Sequence, residues 1–443
     1  MPTMKIPSKG ASREEVLSAM TKIGGRDADW RGGRTWSLVY HADEETSAML
    51  KDAYSMFFSE NGLSPIAFPS LRRFENEVVA MTAHMLGGGE SAAGTMTSGG
   101  SESILMAVKA ARDWARERFP KVDRPEMLLP VTAHPAFFKA AHYFDVKPVL
   151  VPVDAGFRAN VAAARAMLTG RTVLTVGSAP AYPHGVIDPI EDLAAIAKAR
   201  GIWMHVDACL GGFMLPWVRR LGHPIPPFDL SVDGVCSISA DIHKYGFSAK
   251  GASTIIYRDA GLRRHQFFAW ADWPGGLYGS PSMTGTRPGG AIAAAWAALM
   301  HFGEEGYLEI ARGVMDTTRR LLDGIGEIPG LRILGEPAMS VFAFDSDRAN
   351  IYTIGEVMAG RGWHMDRQHM PASLHLMVTP AHAAIVEPFL ADLRAAAAQA
   401  EGTGASETTG MAAIYGMVGA LPDRGAAVPM ILDFLDQTYA LEE

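Results

Sequence analysis

Ser239-Ala-Asp-Ile-His-Lys-Tyr-Gly-Phe-Ser-Ala-Lys-Gly-Ala-Ser253 is the stretch that decides the interpretation of this chain, and it places a lysine directly after a histidine. The apolar run Leu230 to Val235 precedes it, and Thr254 to Tyr257 follows with the composition of a β-strand. We therefore expect Lys244 in a short connection between two strand-like segments, where the fold can fix the position of its amine.

Lys244 has two possible roles. A lysine amine is a nucleophile only when it is neutral, and burial beside a second cation such as His243 or Lys250 is expected to lower its pKa. Such a lysine can form a Schiff base with a carbonyl group. The alternative is an ordinary surface lysine in a loop, so the choice depends on whether the chain supplies the partners of a Schiff base.

The composition is that of an ordinary folded soluble protein. The chain has 443 residues, a net charge of −8 and 20% charged residues, which gives no basic surface for nucleic acid. The two cysteines, Cys209 and Cys236, cannot form a disulfide framework, and the polar segment Met1 to Glu15 is not a secretory signal. No apolar run is long enough to span a membrane. We expect a soluble protein in the cytoplasm.

Short apolar runs alternate with helical patterns through the first two thirds of the chain. Met127 to Val131, Lys147 to Val153, Thr172 to Val176 and Ile202 to Val206 are predicted strands, separated by predicted helices. This alternation predicts an α/β fold with a mostly parallel sheet.

The pattern changes near residue 330, where strands and helices no longer alternate regularly. We predict three parts: an N-terminal arm or segment (1–60), a large domain (61–305) and a smaller α+β C-terminal domain with a helical tail (306–443). Gly289 to Phe302 and Tyr307 to Ile325 are predicted as two helices, the second of which links the domains. Glu401 to Thr409 is predicted to be a polar linker.

A glycine-rich turn, Thr97-Ser-Gly-Gly-Ser101, lies before a predicted helix that starts at Ser103. Glycines allow the backbone to approach a ligand closely, and a helix N-terminus offers free N–H groups to an anion. Gly100 and Ser101 are therefore candidate phosphate contacts. Taken alone, the same pattern also describes a helix capped by serine after a loop.

His205-Val-Asp-Ala208 follows a predicted strand, and in an open parallel sheet the carboxyl ends of the strands line the ligand crevice. Asp207 can pair there with a protonated heteroaromatic nitrogen, although a solvated or helix-capping aspartate is the alternative. Asp207 and Lys244 are 37 residues apart, which is room for about one helix and one strand. Both side chains are then expected at the same edge of the sheet.

The order of these three signals is more informative than any one of them. A phosphate-binding turn, a carboxylate and a His-Lys pair on an alternating α/β chain are the layout of a pyridoxal phosphate (PLP) enzyme of fold type I, the aspartate-aminotransferase-like fold with a sheet of the seven-stranded type. His134, after a predicted strand, is either a residue that stacks on the cofactor or a capping or core histidine. The loop Thr284 to Gly290 is a second candidate phosphate contact. No cluster has the spacing of metal ligands.

The chain resembles the sphingosine-1-phosphate lyase family of PLP enzymes, in the group II decarboxylase-like branch of carboxy-lyases. The resemblance runs from about residue 39 into the C-terminal tail. The stretches that carry it are TSGGSESILMAVKAARD, PHGVIDP, HVDACLGGF, SISADIHKYGFSAKGAS, TRPGG, WAALMHFGEEGY and TTGMAAIYGM.

The resemblance implies a role for each matching residue. Lys244 is implied as the Schiff-base lysine, Asp207 as the partner of the pyridine nitrogen and His134 as the stacking residue. Gly100, Ser101 and His243 are implied as phosphate contacts. The family's enzymes are homodimers in which the partner chain completes the phosphate site, a contribution that Gly285 and Thr286 match. Tyr40 and Lys250 match family residues near the substrate, and with Lys244 they are the implied catalytic residues.

The implied activity is cleavage of the C2–C3 bond of a phosphorylated sphingoid base, with a long-chain aldehyde and phosphoethanolamine as products. Lys250, with a lowered pKa, is expected to relay protons.

One segment departs from the family pattern: Leu63 to Arg72 is shorter and lacks a histidine that helps to hold the substrate phosphate. The membrane helix of the eukaryotic members is also absent. The alternative activity is a group II amino-acid decarboxylase acting on glutamate or aromatic amino acids.

Overall fold

The computed structural model of the protein describes residues 5–25, 27–401 and 424–440. Its central feature is a sheet of seven strands in the spatial order β1-β7-β6-β5-β4-β2-β3. Its strands are β1 (Ala93–Thr97), β2 (Glu126–Pro130), β3 (Lys147–Val151), β4 (Thr172–Ser178), β5 (Trp203–Asp207), β6 (Ser237–Ala240) and β7 (Ser253–Tyr257).

Six of these strands run in the same direction. β2 pairs in parallel with β3 and β4, β4 with β5, and β5 with β6. β7 alone is antiparallel to its neighbours β6 and β1. The carboxyl ends of the parallel strands therefore meet at one edge of the sheet, where ligands bind in open α/β folds. The predicted α/β class, the mostly parallel sheet and its strand number are confirmed.

Helices cover the sheet and precede it. In chain order they are α1 (Arg13–Gly24), α2 (Glu44–Met56), α3 (Pro69–Met85), α4 (Gly100–Arg118), α5 (Ala136–Phe144), α6 (Val161–Met167), α7 (Ile190–Arg200), α8 (Leu215–Arg220), α9 (Ala260–Arg264), α10 (Gly289–Gly326), α11 (Ile351–Gly360), α12 (Val386–Glu401) and α13 (Val428–Thr438). Two short strands, β8 (Phe268–Trp270) and β9 (Tyr278–Ser280), form a separate hairpin after α9.

α10 joins the large sheet to a second one. It is continuous from Gly289 to Gly326 except at Gly303, whose φ of 53° and ψ of −170° interrupt the helical backbone. The two helices expected there are present as two segments of α10, and they meet at a kink that lies within the predicted gap between them. A glycine is the residue that adopts this backbone without a steric penalty.

The second sheet contains four antiparallel strands in the order β10-β11-β13-β12. They are β10 (Leu331–Ile333), β11 (Val341–Ser346), β12 (Asp366–His369) and β13 (Ala372–Met377). The N-terminal segment is tied to this sheet, because the Met377 N–H of β13 donates to the Trp36 carbonyl at 2.8 Å. The Trp36 side chain is fully buried, and its ring stacks on His382 at 4.2 Å. The α+β character expected for the C-terminal part is present, and the domain boundaries at 60 and 305 stay a prediction.

The structure corrects the strand expected before the His-Lys pair. Leu230, Val232 and Val235 are buried, but the segment forms turns, and the strand beside β5 is Ser237–Ala240. Gly234, with a φ of 99°, breaks the apolar run. Lys244 nevertheless lies in the connection between two strands, β6 and β7.

The predicted linker and the stretch TTGMAAIYGM lie, from residue 402 onward, outside the described residues. Within the described part of the chain, no helix is long and apolar enough to cross a bilayer.

Candidate active site

A cavity of about 540 Å³ opens at the carboxyl edge of the large sheet. The turn after β1, the end of β5 and the β6–β7 connection contribute to its wall, and the second sheet closes it from the other side. The sequence-predicted residues that line it are Tyr40, Gly100, Ser101, His134, Asp207, His243, Lys244 and Lys250. The fold therefore brings together eight of the ten predicted site residues, although they are spread over more than 200 positions.

Lys244 forms an ion pair that the sequence did not reveal. Its Nζ lies 3.0 Å from Oδ2 of Asp241, which is buried. Burial by itself lowers the pKa of Lys244, but the carboxylate of Asp241 and the nearby Cys209 and Asp207 outweigh it and raise that pKa above the usual range for lysine. The expectation of a lowered pKa for Lys244 in the protein alone is wrong, because its nearest charged partner is an anion.

Lys250 shows the opposite behaviour. Burial and the positive charge of Lys244 lower the pKa of Lys250 to about 8, as predicted for this residue. Its Nζ donates a hydrogen bond to the carbonyl oxygen of His243 at 3.3 Å and lies 5.0 Å from the centre of the Tyr40 ring. A lysine that is partly neutral near pH 8 can accept a proton in the cavity.

His243 is fixed on both sides by backbone. Its N–H donates to the carbonyl of Ala252 at 3.0 Å, and its ring Nδ1 accepts from the Ala252 N–H at 3.3 Å. Nε2 is then the nitrogen that carries the proton in the neutral ring, and it lies 3.7 Å from Asp241 Oδ2. The ring faces the cavity with a donor, which suits a contact with a phosphate.

Asp207 ends β5 and is held in place by its neighbours. The Cys209 N–H donates to Oδ1 at 3.1 Å, and the Ser239 hydroxyl donates to the same oxygen at 3.3 Å. Both bonds use one carboxylate oxygen, so Oδ2 can accept a hydrogen bond from a ligand in the cavity. His134 is exposed at the cavity wall, and its Nδ1 accepts a hydrogen bond from the Ala136 N–H at 3.1 Å.

The glycine-rich turn forms the start of α4, three residues earlier than the pattern predicted. Gly100 packs so closely that an added Cβ would lie 2.7 Å from Asp241 Oδ2 and 2.8 Å from Cys209 Sγ. Only a glycine allows the helix N-terminus to come this near to the cavity floor. The turn is braced by Glu102, whose Oε2 accepts hydrogen bonds from the N–H and the hydroxyl of Ser98 at 2.7 and 2.6 Å.

Gly285 and Thr286 do not line the cavity of their own chain. Thr286 Oγ1 accepts a hydrogen bond from the Asn61 side chain at 3.3 Å, and the Arg287 N–H donates to Asn61 Oδ1 at 3.2 Å. The segment Leu63 to Arg72, in which the predicted departure from the family pattern lies, begins with exposed residues (63–67) beside this loop.

Several cavity residues had no signal in the sequence. Asp241 and Cys209 reach the cavity floor, and Asp366 reaches it from β12 of the second sheet. The Tyr182 hydroxyl donates to Asp366 Oδ2 at 2.6 Å, and the Ser37 hydroxyl donates to Oδ1 at 3.2 Å. A long-range contact of this kind follows only from the packing of the two sheets.

The residues present fit pyridoxal phosphate. Oδ2 of Asp207 can accept a hydrogen bond from the pyridine nitrogen. The 19-residue helix α4 begins at Gly100, where there is no room for a side chain. Free N–H groups at such a helix end, together with the Ser101 hydroxyl and His243, are suited to a phosphate group. Lys244 is the amine between these two ends of the cavity.

Comparison with known proteins agrees with this geometry. Residues 30–346 match the pyridoxal-dependent decarboxylase conserved domain. The chain is 45% identical to sphingosine-1-phosphate lyase from Arabidopsis thaliana, over 99% of this chain and 81% of that protein. It is 42% identical to sphingosine-1-phosphate lyase 1 from Rattus norvegicus, over 99% and 77% of the two chains.

Comparison with solved structures also finds similarity to a sphingosine-1-phosphate lyase. The structure of sphingosine-1-phosphate lyase from Burkholderia pseudomallei superposes with a TM-score of 0.91 at 39% identity, covering 99% of this chain and 98% of that one. Glutamate decarboxylase from Lactobacillus brevis superposes with a TM-score of 0.79 at 20% identity, over 91% and 96% of the chains, which shows the shared fold alone. The chain is therefore a PLP-dependent lyase of fold type I, and it belongs to the sphingosine-1-phosphate lyase family.

Proposed function

We propose that this enzyme cleaves the C2–C3 bond of phosphorylated sphingoid bases to a long-chain aldehyde and phosphoethanolamine. The observation that carries the proposal is the pair of lysines in one cavity, with Lys244 kept basic and Lys250 made partly neutral. The substrate must lose a proton from its C3 hydroxyl, and a neutral amine beside the cofactor site supplies the base. The similarity to several sphingosine-1-phosphate lyases supports the same substrate class.

The polar residues of the cavity disfavour the decarboxylase alternative. An amino-acid substrate brings a carboxylate, which proteins commonly bind with the planar fork of an arginine. Among the described residues that line the cavity there is no arginine, and the Asp366 carboxylate faces the same space. A second carboxylate near Asp366 would be repelled, whereas a hydroxyl can donate a hydrogen bond to it.

The chain's own residues account for each task in the reaction. Bound PLP supplies an electron-accepting ring that stabilises the electron pair left at C2 when the carbon–carbon bond breaks. Asp207 would hold the proton on the ring nitrogen, and His134 would be the stacking residue. Lys250 would take the proton from the C3 hydroxyl. The Ser101 hydroxyl, the His243 ring and the α4 N-terminus would hold the cofactor phosphate.

The proposed assembly is a homodimer in which each chain completes the site of the other. The hairpin β8–β9 carries an exposed aromatic cluster, with Trp270 and Trp273 at 54% and 55% exposure, and Leu277 at its tip is 88% exposed. An apolar patch of this kind usually marks a protein contact. A Cβ on Gly285 would lie 3.9 Å from the Tyr278 hydroxyl, so the predicted partner-facing loop adjoins the same patch.

We also infer a cytoplasmic location. Cys209 is buried and Cys236 is partly buried, and both thiols are free. Burial raises the pKa of each thiol, so both stay protonated and unreactive toward disulfide exchange. Two protected thiols and no disulfide suit a reducing compartment.

Product analysis tests the proposed reaction. The purified holoenzyme is incubated with dihydrosphingosine phosphate, and in parallel with glutamate, aspartate and aromatic amino acids. A long-chain aldehyde and phosphoethanolamine from the first substrate are expected, with no CO₂ from the others. Release of CO₂ from an amino acid, without aldehyde from the lipid, would establish the decarboxylase instead.

A further inference from the structure

Asp241 is a buried carboxylate that contacts two predicted cofactor residues at once. It is 2% exposed. Oδ2 lies 3.0 Å from Lys244 Nζ and 3.7 Å from His243 Nε2, while Oδ1 accepts a hydrogen bond from the Ser253 hydroxyl at 2.5 Å. Both oxygens are therefore engaged, and the carboxylate has one defined orientation.

A chain of hydroxyl groups fixes that orientation from outside the cavity. Ser253 Oγ lies 2.8 Å from Ser103 Oγ, which in turn lies 2.6 Å from Thr97 Oγ1. These residues belong to β7, α4 and β1, so three elements of the large domain hold the carboxylate. On the other side the Lys244 N–H donates to the Asp241 carbonyl at 3.3 Å, which closes the turn between them.

The charged groups around Lys244 are mainly anionic. Asp241 is in direct contact, and Asp207 adds to the attraction, which together overcome the effect of burial. The same pairing keeps the pKa of Asp241 below its usual value although burial alone would raise it. Lys250 and His243 are the cations nearby, and the charge of Lys244 contributes to the lowered pKa of Lys250. The two lysines thus differ in basicity because one of them has the carboxylate.

We propose that Asp241 is a positioning residue that holds the Lys244 amine as an ammonium, at one fixed place, whenever Lys244 is not bonded to the cofactor. The inference rests on the proposed assignment of Lys244 as the cofactor lysine. The two lysines then have different roles. Lys244 holds a proton as an ammonium, and Lys250 acts as the base.

These different roles of Lys244 and Lys250 are consistent with the proton balance when the substrate amine replaces Lys244 on the cofactor. The substrate nitrogen would arrive as an ammonium with three protons and would replace Lys244 Nζ, which carries one proton while it is bonded to the cofactor carbon. Two protons would pass from the substrate nitrogen to Lys244 Nζ, so that the lysine leaves as an ammonium and charge is conserved without another reactant. Asp241 then stabilises the released ammonium and keeps it near the reacting atoms.

Amine labelling of the cofactor-free protein tests the proposal. Wild type and Asp241→Asn are treated with an acetylating reagent from pH 6 to 10, and the acetylation rate of each lysine is read by peptide mass spectrometry. The amide keeps the shape of the carboxylate but not its charge, so we expect Lys244 of the variant to react at least about ten-fold faster at pH 8, the change for one unit of pKa. The exposed Lys121, measured in the same digest, is the internal reference, and the rate of Lys250 is compared with that of Lys244.

Two further variants separate charge from shape. Asp241→Glu retains the carboxylate and is expected to keep Lys244 slow, and Ser253→Ala, which removes only one hydrogen bond to Asp241, is expected to change the rate less than Asp241→Asn does. Equal Lys244 rates in wild type and Asp241→Asn overturn the proposal, as does an equal acceleration of Lys244 and Lys250, which would mean that the cavity has merely opened. Protection of wild-type Lys244 by added PLP tests the cofactor assignment separately.

Discussion

The Lys250 ammonium lies 5.0 Å from the centre of the Tyr40 ring, with its Nζ also bonded to the His243 carbonyl. Tyr40 comes from the N-terminal segment and Lys250 from the β6–β7 connection, so the packing of that segment onto the large domain completes the site. The Tyr40 hydroxyl contacts Met377 Sδ at 3.2 Å, which adds the second sheet to the same contact. The packing around Lys250 thus involves all three parts of the chain.

The pH dependence of turnover should report Lys250. Its neutral form predominates above a pKa of about 8, so the turnover number is expected to rise with pH and to level off above that value. Lys250→Gln should lose this dependence and roughly 10²–10⁴-fold in rate, the range for loss of a general base. Lys250→Arg keeps the charge but cannot act as a base and should be equally slow. A profile of unchanged shape in Lys250→Gln would assign the base elsewhere.

Lys244→Ala is expected to abolish the visible absorbance of the lysine–cofactor imine, since Lys250, which also lines the cavity, is held by its hydrogen bond to the His243 carbonyl. Cofactor affinity should fall but not vanish, because Asp207, His243 and the α4 N-terminus remain. The measurement is an absorbance spectrum after PLP addition, together with a binding titration. Lys250→Ala is the matched control and should retain the band. A band that persists in Lys244→Ala would contradict the assignment of the lysine.

The close approach of α4 to the cavity floor can be tested at Gly100. A Cβ there would press on Asp241 and Cys209, and overpacking of this kind typically costs about 1–3 kcal/mol. We expect Gly100→Ala to weaken PLP binding by about ten-fold or more, since about 1.4 kcal/mol corresponds to a factor of ten. Gly89→Ala is the control, because a Cβ on Gly89 meets nothing within 4 Å. Equal dissociation constants for the two variants would mean that the turn adjusts freely.

The sequence was sufficient to predict the site residues that end a strand or begin a helix. It was not sufficient to predict the strands and site residues that depend on buried small polar side chains. β6 was misplaced because Ser237-Ile-Ser-Ala240 does not have the apolar pattern of a buried strand. Its serines are tolerated inside because β5 supplies their partners: Trp203 Nε1 donates to Ser237 Oγ at 2.9 Å, and Ser239 pairs with Asp207. Such compensation depends on strand pairing, which a single sequence does not display.

Asp241 was missed for a related reason. Three residues before a lysine, an aspartate has the same appearance in a sequence whether it caps a turn in solvent or forms a buried ion pair. The difference arises from Ser253 and Gly100, which come to the carboxylate from β7 and α4. Asp366 reaches the cavity in the same indirect way, through a strand whose polar residues, Asp366 to His369, gave no strand pattern.

The contact between the two sheets can be tested at Gly185. Gly185 has a φ of 67°, and a Cβ on it would overlap the carbonyl oxygen of Val341 in β11. Gly201 has a φ of 63° but open space around it. Both substitutions by alanine incur the left-handed backbone penalty of about 1–2 kcal/mol, and Gly185→Ala should cost at least about 1–3 kcal/mol more through overpacking. Urea unfolding of both variants measures the difference, and equal stabilities would contradict the tight contact.

The proposed homodimer makes a quantitative prediction about mixed subunits. If Gly285 and Thr286 act in the partner's site, Lys244→Ala and a loop variant such as Thr286→Trp should each be inactive alone. After unfolding and refolding together, a hybrid pairs the intact Lys244 of one chain with the intact loop of the other. Random pairing makes half of the dimers hybrids, each with one working site of two, so activity should return to about one quarter of the wild-type value.

The same mixture distinguishes a loop that acts within its own chain. In that case each chain carries its own defect, no combination contains an intact site, and mixing restores nothing. A mixture of wild type with Lys244→Ala serves as the refolding control, since it should reach about half of the wild-type activity under either arrangement. Recovery in the control without recovery in the test mixture would place Gly285 and Thr286 outside the partner's site and leave the aromatic hairpin β8–β9 to be covered in some other way.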